Sequence, residues 1–201
     1  MDGSSGGAGL AGELAERIRR LLSQGASVLE VVAEINVFYE EHGLGRLIVV
    51  GGYAVELYTG SAYRTGDVDL VVEGDAGVLR EALGMLEEWR GRVWYLRGFR
   101  YAVDIVSTSY SGGKEPVRLR LDNRWVYVEP PEDSILSSLR ACVYWESHLD
   151  CERAAMVMAA QWPRIDWQYL ESAAAREGLS EKLAEIRETV RGVLEEAGGG
   201  G

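Results

Sequence analysis

Asp67 and Asp69 stand one valine apart in Gly66-Asp67-Val68-Asp69-Leu70-Val71-Val72, a segment otherwise apolar enough for an inner strand. Side chains alternate along a strand, so both carboxylates project from one face, with Cα atoms about 6.6 Å apart. Two carboxylates aimed at one point repel unless a proton or cation lies between them. A hard divalent ion answers that repulsion, and Mg²⁺ takes one or two carboxylates and completes its shell with water and substrate phosphate. Asp104, in Ala102-Val103-Asp104-Ile105-Val106, is a lone acid inside a second apolar segment. With the two strands adjacent, three carboxylates converge. A solvated edge strand also accounts for Asp67 and Asp69 taken alone, and an ion pair with Arg100 or Arg118 for Asp104.

Gly51-Gly52 supplies a complementary feature. It follows the apolar run Leu47-Ile48-Val49-Val50 and precedes Tyr53-Ala54-Val55-Glu56-Leu57-Tyr58, which reads as a short helix. Backbone N–H groups and the positive end of a helix therefore face one opening. Glycine lets a phosphate approach the backbone without a Cβ in the way. An anion-binding corner beside an acidic metal site is what nucleoside triphosphate chemistry requires.

The elements that must position these residues follow from periodicity and punctuation. Leu10, Leu14, Ile18, Leu21 and Leu22 predict a helix from Leu10 to Ser23. Ser27 caps a second helix with the stripe Val28, Val31, Val32, Ile35 and Phe38, which Gly43 ends. Strands are expected at 47–50, 67–73, 93–96 and 102–107, with a helix over 76–89. Val117–Leu121 and Trp125–Glu129 form a hairpin turning at Asp122-Asn123. After Pro130-Pro131, helices are expected over 132–147, 150–160, 166–177 and 180–196. Residues 1–9 and 197–201 are Gly-rich tails expected to be mobile, flanking N-terminal helices (10–43), a core (44–130) and a helical region (131–196).

Composition narrows the classes. The chain has 201 residues, 47% of them hydrophobic, enough for a packed interior. No apolar run reaches the ~20 residues of a membrane span. The N-terminal residues lack the basic-then-apolar layout of a signal peptide, so a cytoplasmic protein is expected. A net charge of −11 opposes general affinity for nucleic acid. All but two of the 21 basic residues are arginine, suited to bidentate phosphate contacts and also a mark of genome composition. Cys142 and Cys151, on neighbouring helices, can face one another, although reduced thiols are the expectation for a cytosolic chain. His42 and His148 have no ligand spacing and read as surface or capping residues. Trp145, Trp162, Trp167 and Tyr169 fall in helical runs and are expected in the core.

Val50-Gly51-Gly52, then Asp67-Val68-Asp69-Leu70, then Val103-Asp104-Ile105 together resemble the signature of the polymerase-β-type nucleotidyltransferase superfamily. The likeness is closest to minimal prokaryotic and archaeal members of the abortive-infection toxin–antitoxin type, and it covers roughly residues 44–175. Arg64 and Thr65 match the Arg and Thr or Ser that precede the paired acids, and VEPPEDSILSSLRA is similar to the helical tail. Many relatives carry a Lys in the first tail helix, where this chain has Ser137-Ser138-Leu139-Arg140, which leaves Arg140 as a candidate for that contact.

The resemblance implies an α+β fold, a nucleotidyltransferase-type mixed sheet flanked by helices with a C-terminal helical bundle. It implies an enzyme moving a nucleoside monophosphate from an NTP such as ATP to an acceptor hydroxyl on RNA, a protein or a small molecule. Asp67, Asp69 and Asp104 are then the catalytic residues and the ligands of two Mg²⁺ ions. Gly51 and Gly52 cradle phosphate, and Arg64 and Thr65 contact the nucleotide. The alternative it leaves open is a catalytically silent copy that binds a partner protein.

Overall fold

The computed structural model describes residues 4–86, 89–90, 93–95 and 101–198. They form eight α-helices and seven strands in a mixed α/β architecture. The chain divides into two compact units, one of Met1–Tyr53, Thr65–Ser111 and Pro116–Val128, the other of Ala54–Arg64, Gly112–Glu115 and Glu129–Gly201.

The first unit holds α1 (Ser4–Ser23), α2 (Val28–Glu41), β1 (Gly45–Val50) and the start of α3 (Gly51–Tyr58). It continues through β2 (Asp67–Gly74), α4 (Ala76–Leu86), β3 (Trp89–Arg90), β4 (Val93–Tyr95), β5 (Ala102–Ser107), β6 (Val117–Leu121) and β7 (Arg124–Val128). The strands form one sheet in the order β3-β4-β5-β2-β1-β7-β6. β1 lies antiparallel to β2 and parallel to β7, and β2 lies parallel to β5. Register therefore sorts the side chains. Leu47 and Val49 share a face with Val68, Leu70, Val72, Val103, Val126 and Val128, all buried. The opposite face carries Asp67, Asp69 and Asp104, and farther along it Arg46, Glu73 and Tyr127.

α2 forms where Ser27 and Glu30 close a capping box, and its stripe Val28, Val31, Val32, Ile35 and Phe38 is buried. Asn36, fully buried on the same helix, accepts a hydrogen bond from the Leu47 N–H at 2.8 Å. The ladder to β7 begins one residue later, at Ile48, so the amide side chain satisfies a strand donor that the sheet leaves over. α1 begins at Ser4, six residues before the apolar spacing starts, so residues 4–9 are helical and not the expected mobile tail, even though their glycines disfavour a helix. α4 ends at Leu86, short of the expected Trp89, which instead lies in β3. Leu96 and Arg100 lie outside the described residues.

The second unit is helical: α5 (Pro131–Tyr144), α6 (His148–Gln161), α7 (Trp167–Arg176) and α8 (Ser180–Gly198). Its core gathers Val55, Ile135, Leu136, Leu139, Val157, Met158, Leu170 and Leu183, with Trp162, Trp167 and Tyr169 packed partly against them. Trp145 does not join the core. It is 81% exposed, because α5 ends at Tyr144 and the chain turns outward before α6. Cys142 and Cys151 form a disulfide between the end of α5 and the first turn of α6. This corrects the expectation of reduced thiols, which rested on compartment and not on geometry.

Candidate functional site

The acids come from two neighbouring strands whose register decides everything. Asp69 on β2 pairs directly with Asp104 on β5, and Asp67 pairs with Ala102. Directly paired residues share a face, and Asp67 shares it too, two positions along the same strand. Burial grades across the three: Asp67 is exposed, Asp69 intermediate, and Asp104 only 7% exposed. The regular pairing of β2 with β5 runs only from Asp67 to Leu70, since the register shifts between Leu70 and Val71. The acids sit on the ordered side of that irregularity. Among the described residues no three His, Cys, Asp or Glu side chains are gathered closely enough to hold a metal ion. The register thus aligns the three carboxylates on one face of the sheet.

Gly51 and Gly52 open α3 straight off the end of β1. In the antiparallel ladder Val50 pairs with Asp69, so the glycines follow the strand at the level of the acids. Gly51 has φ +63°, a left-handed conformation that lets the strand turn at once into a helix. A Cβ built there would stand 2.7 Å from Asp69 Oδ2. The carboxylate therefore occupies the space that a side chain at 51 would fill. Gly52 meets Thr65 in the same way, its hypothetical Cβ lying 3.0 Å from Thr65 Oγ1. Thr65 Oγ1 also accepts a hydrogen bond from the Asp67 N–H at 3.3 Å. Glycine corner, threonine hydroxyl and paired acids thus form one cluster inside the first unit.

Arg64 lies in the second unit, where its Nη1 is 3.1 Å from Glu56 Oε1. Glu56 is 4% exposed while the arginine side chain is 59% exposed, so the pair anchors the guanidinium at one end. Arg140 is committed as well. Its Nε and Nη2 donate to Glu177 at 2.5 and 2.8 Å, a bidentate pair that holds the Glu177 carboxyl below its ordinary range. Arg140 is accordingly occupied with structure and not presented for a substrate.

The Glu132 and Asp133 carboxylates of the VEPPED stretch are structural too. Glu132 is 3.1 Å from Lys114 Nζ and accepts the Asp166 N–H at 2.7 Å. Asp133 accepts from the Lys114 N–H at 3.2 Å and from Tyr169 Oη at 2.6 Å. Burial, then Glu129, Glu132 and Asp133, push the Tyr58 hydroxyl far up, so it stays protonated and donates to the Glu129 carbonyl at 2.7 Å.

One pair near the acids escaped the sequence reading. Tyr53, next to Gly52, packs edge-on against Tyr101, next to Ala102, with ring centroids 5.3 Å apart. The signal available was one tyrosine directly after Gly51-Gly52 and another directly before β5. His42 behaves as a capping residue at the end of α2, its Nδ1 2.9 Å from the Phe38 carbonyl. Arg118 stacks over the Trp125 ring at 4.0 Å and stands 3.9 Å from Glu40, as a solvated sheet face does.

Hard oxygen donors on one face, beside a backbone corner with no Cβ, match in type what a magnesium-bound triphosphate takes. No helix is long and apolar enough to cross a membrane among the described residues. No protein-family model matches the chain, and no curated protein matches it.

Proposed function

We propose that the chain is a nucleotidyltransferase that transfers a nucleoside monophosphate from an NTP to an acceptor hydroxyl and releases pyrophosphate. The observation that carries this reading is the direct pairing of Asp69 with Asp104, beside a Gly51 whose missing Cβ is replaced by the Asp69 carboxylate. In that reading Asp67, Asp69 and Asp104 hold Mg²⁺, which when bound neutralises the phosphates and lowers the pKa of the attacking hydroxyl. The first turn of α3 receives the β- and γ-phosphates, because helix N-termini favour anions and glycine lets them approach. Thr65 Oγ1, close to Gly52, donates its hydroxyl proton to a phosphate oxygen. Asp104 accepts the proton of the acceptor hydroxyl. The acceptor oxygen bonds to the α-phosphorus as the α–β bridging bond breaks.

Calorimetric titration of each nucleoside triphosphate, with and without Mg²⁺, tests the proposal. Wild type is expected to bind only with Mg²⁺, and Asp67→Asn with Asp69→Asn to lose that binding at unchanged melting temperature. Metal-independent binding, or binding indifferent to both substitutions, sinks it.

A catalytically silent copy that binds a partner protein is the second reading. It is favoured by Ser137-Ser138 standing where many relatives have Lys, with Arg140 tied to Glu177.

A further inference from the structure

Arg153 on α6 makes more contacts than a helix-surface arginine needs. Its Nε donates to Tyr63 Oη at 2.8 Å, Nη2 donates to the same oxygen, and the guanidinium lies 4.9 Å from the Tyr63 ring centroid. Its remaining terminal nitrogen, Nη1, donates to Asp150 Oδ1 at 2.8 Å. Asp150 is itself fixed. It shares two hydrogen bonds with Ser147, the N-cap of α6, whose hydroxyl donates to Asp150 Oδ2 at 2.5 Å and accepts from the Asp150 N–H. The Cys142–Cys151 disulfide fastens the same helical turn to the end of α5. Arginine suits this place because one rigid fork serves two acceptors and stacks on a ring, which a lysine ammonium cannot do at once.

The segment that Arg153 grips is tightly wound. Gly60 (φ +59°) and Ser61 (φ +69°) are consecutive left-handed residues, and the second has a side chain. Such a conformation persists when its surroundings over-determine it. Tyr63 N–H donates to Thr59 Oγ1 at 3.3 Å, closing the turn on itself. Upstream, Tyr58 is pinned at both ends, by its hydroxyl to the Glu129 carbonyl and by Gln161 Nε2 to its own carbonyl at 3.0 Å. The residue after Tyr63 is Arg64, whose Nη1 is 3.1 Å from the buried Glu56 carboxylate of the same unit.

We propose that Arg153 is a positioning residue: by holding Tyr63 it fixes the 59–64 turn and so the place of Arg64, the candidate nucleotide contact that ends this turn in the same unit. The role rests on the nucleotidyl-transfer reading above. It is tested on the full chain with Arg153→Gln, Arg153→Lys, Tyr63→Phe and, as a control on another arginine of the helical unit, Arg140→Gln. Amide hydrogen exchange is followed over residues 59–66, and the affinity for ATP with Mg²⁺ is measured by calorimetry.

Arg153→Gln and Tyr63→Phe are expected to speed exchange in 59–66 by about tenfold or more, with the helical core unaffected. Both are expected to weaken Mg–ATP binding by about tenfold. Arg153→Lys restores part of each effect, and Arg140→Gln produces neither. Unchanged exchange in 59–66 overturns the grip, and faster exchange with undiminished affinity overturns its service to the site. If wild type binds no nucleotide, the nucleotidyltransferase reading falls and this role falls with it, while the exchange arm still decides whether the grip exists. Tyr63→Phe, which removes only a hydroxyl, keeps the question open to refutation if Arg153→Gln does not fold.

Discussion

Gly51→Ala is the substitution whose cost the structure fixes most closely. The left-handed backbone at φ +63° penalises an L side chain by about 1–2 kcal/mol. The new Cβ would also stand 2.7 Å from Asp69 Oδ2, forcing the carboxylate off its rotamer for about 0.5–1.5 kcal/mol more. Lower backbone freedom in the unfolded chain returns about 0.4–1 kcal/mol. The net loss is about 2 kcal/mol, which for a chain of this size lowers the melting temperature by about 4–8 °C. Scanning calorimetry of wild type, Gly51→Ala, Asp69→Ala and the double variant separates the two parts. In the Asp69→Ala background only the backbone part should remain, so the substitution should cost less there than in wild type. Gly52→Ala is the companion, since it has no left-handed backbone and its tight contacts are to Thr65 alone, Oγ1 at 3.0 Å and Cβ at 3.3 Å. It should leave the melting temperature within about 2 °C of wild type while abolishing nucleotide binding. A Gly51→Ala protein as stable as wild type, or a penalty unaltered by removing Asp69, would refute the reasoning.

Other consequences can be read at the bench. Cys142→Ser with Cys151→Ser should cost about 2.5 kcal/mol, the chain entropy of the loop those cysteines close across nine positions, and a dithiol reductant should lower the melting temperature of wild type equally. Arg140 holds the Glu177 carboxyl below its ordinary value of 4.5. A depressed folded value means stability present above pH 4.5 and lost as pH falls through the lower folded value. Arg140→Gln should flatten that acid limb by about 1–2 °C between pH 5 and 3, the small scale set by a solvent-screened pair.

Much of this layout was legible because local chemistry and tertiary structure agree. The Ser27 cap, the stripe of α2, the left-handed Asp122 in the β6–β7 turn and the strand bounds of β5 and β6 follow from spacing and turn residues alone. The alignment of Asp69 with Asp104 was legible only as a condition, since alternation fixes a face within one strand while neighbours are fixed by topology. What stayed hidden depended on distant partners. The Cys142–Cys151 bond needed the angle between α5 and α6, and the exposure of Trp145 needed the point where α5 stops. The commitment of Arg140 to Glu177 joins residues 37 positions apart. The grip of Arg153 on Tyr63 joins residues 90 apart, and no periodicity reports such pairs.

The strand order has a consequence for synthesis of the chain. β1 is flanked by β2, which emerges from the ribosome soon after it, and by β7, which emerges only once Val128 is made. Until then one edge of Leu47-Ile48-Val49-Val50 has no strand to pair with, and such an edge invites pairing with another nascent chain. β2 waits less long for β5, which is complete at Ser107. The ladder that aligns Asp69 with Asp104 can therefore form while the sheet is still open on its other side, and closure by the β6–β7 hairpin comes last. Slow translation between codons 50 and 124 would lengthen the exposed interval, so yield during rapid expression should depend on how quickly the hairpin arrives.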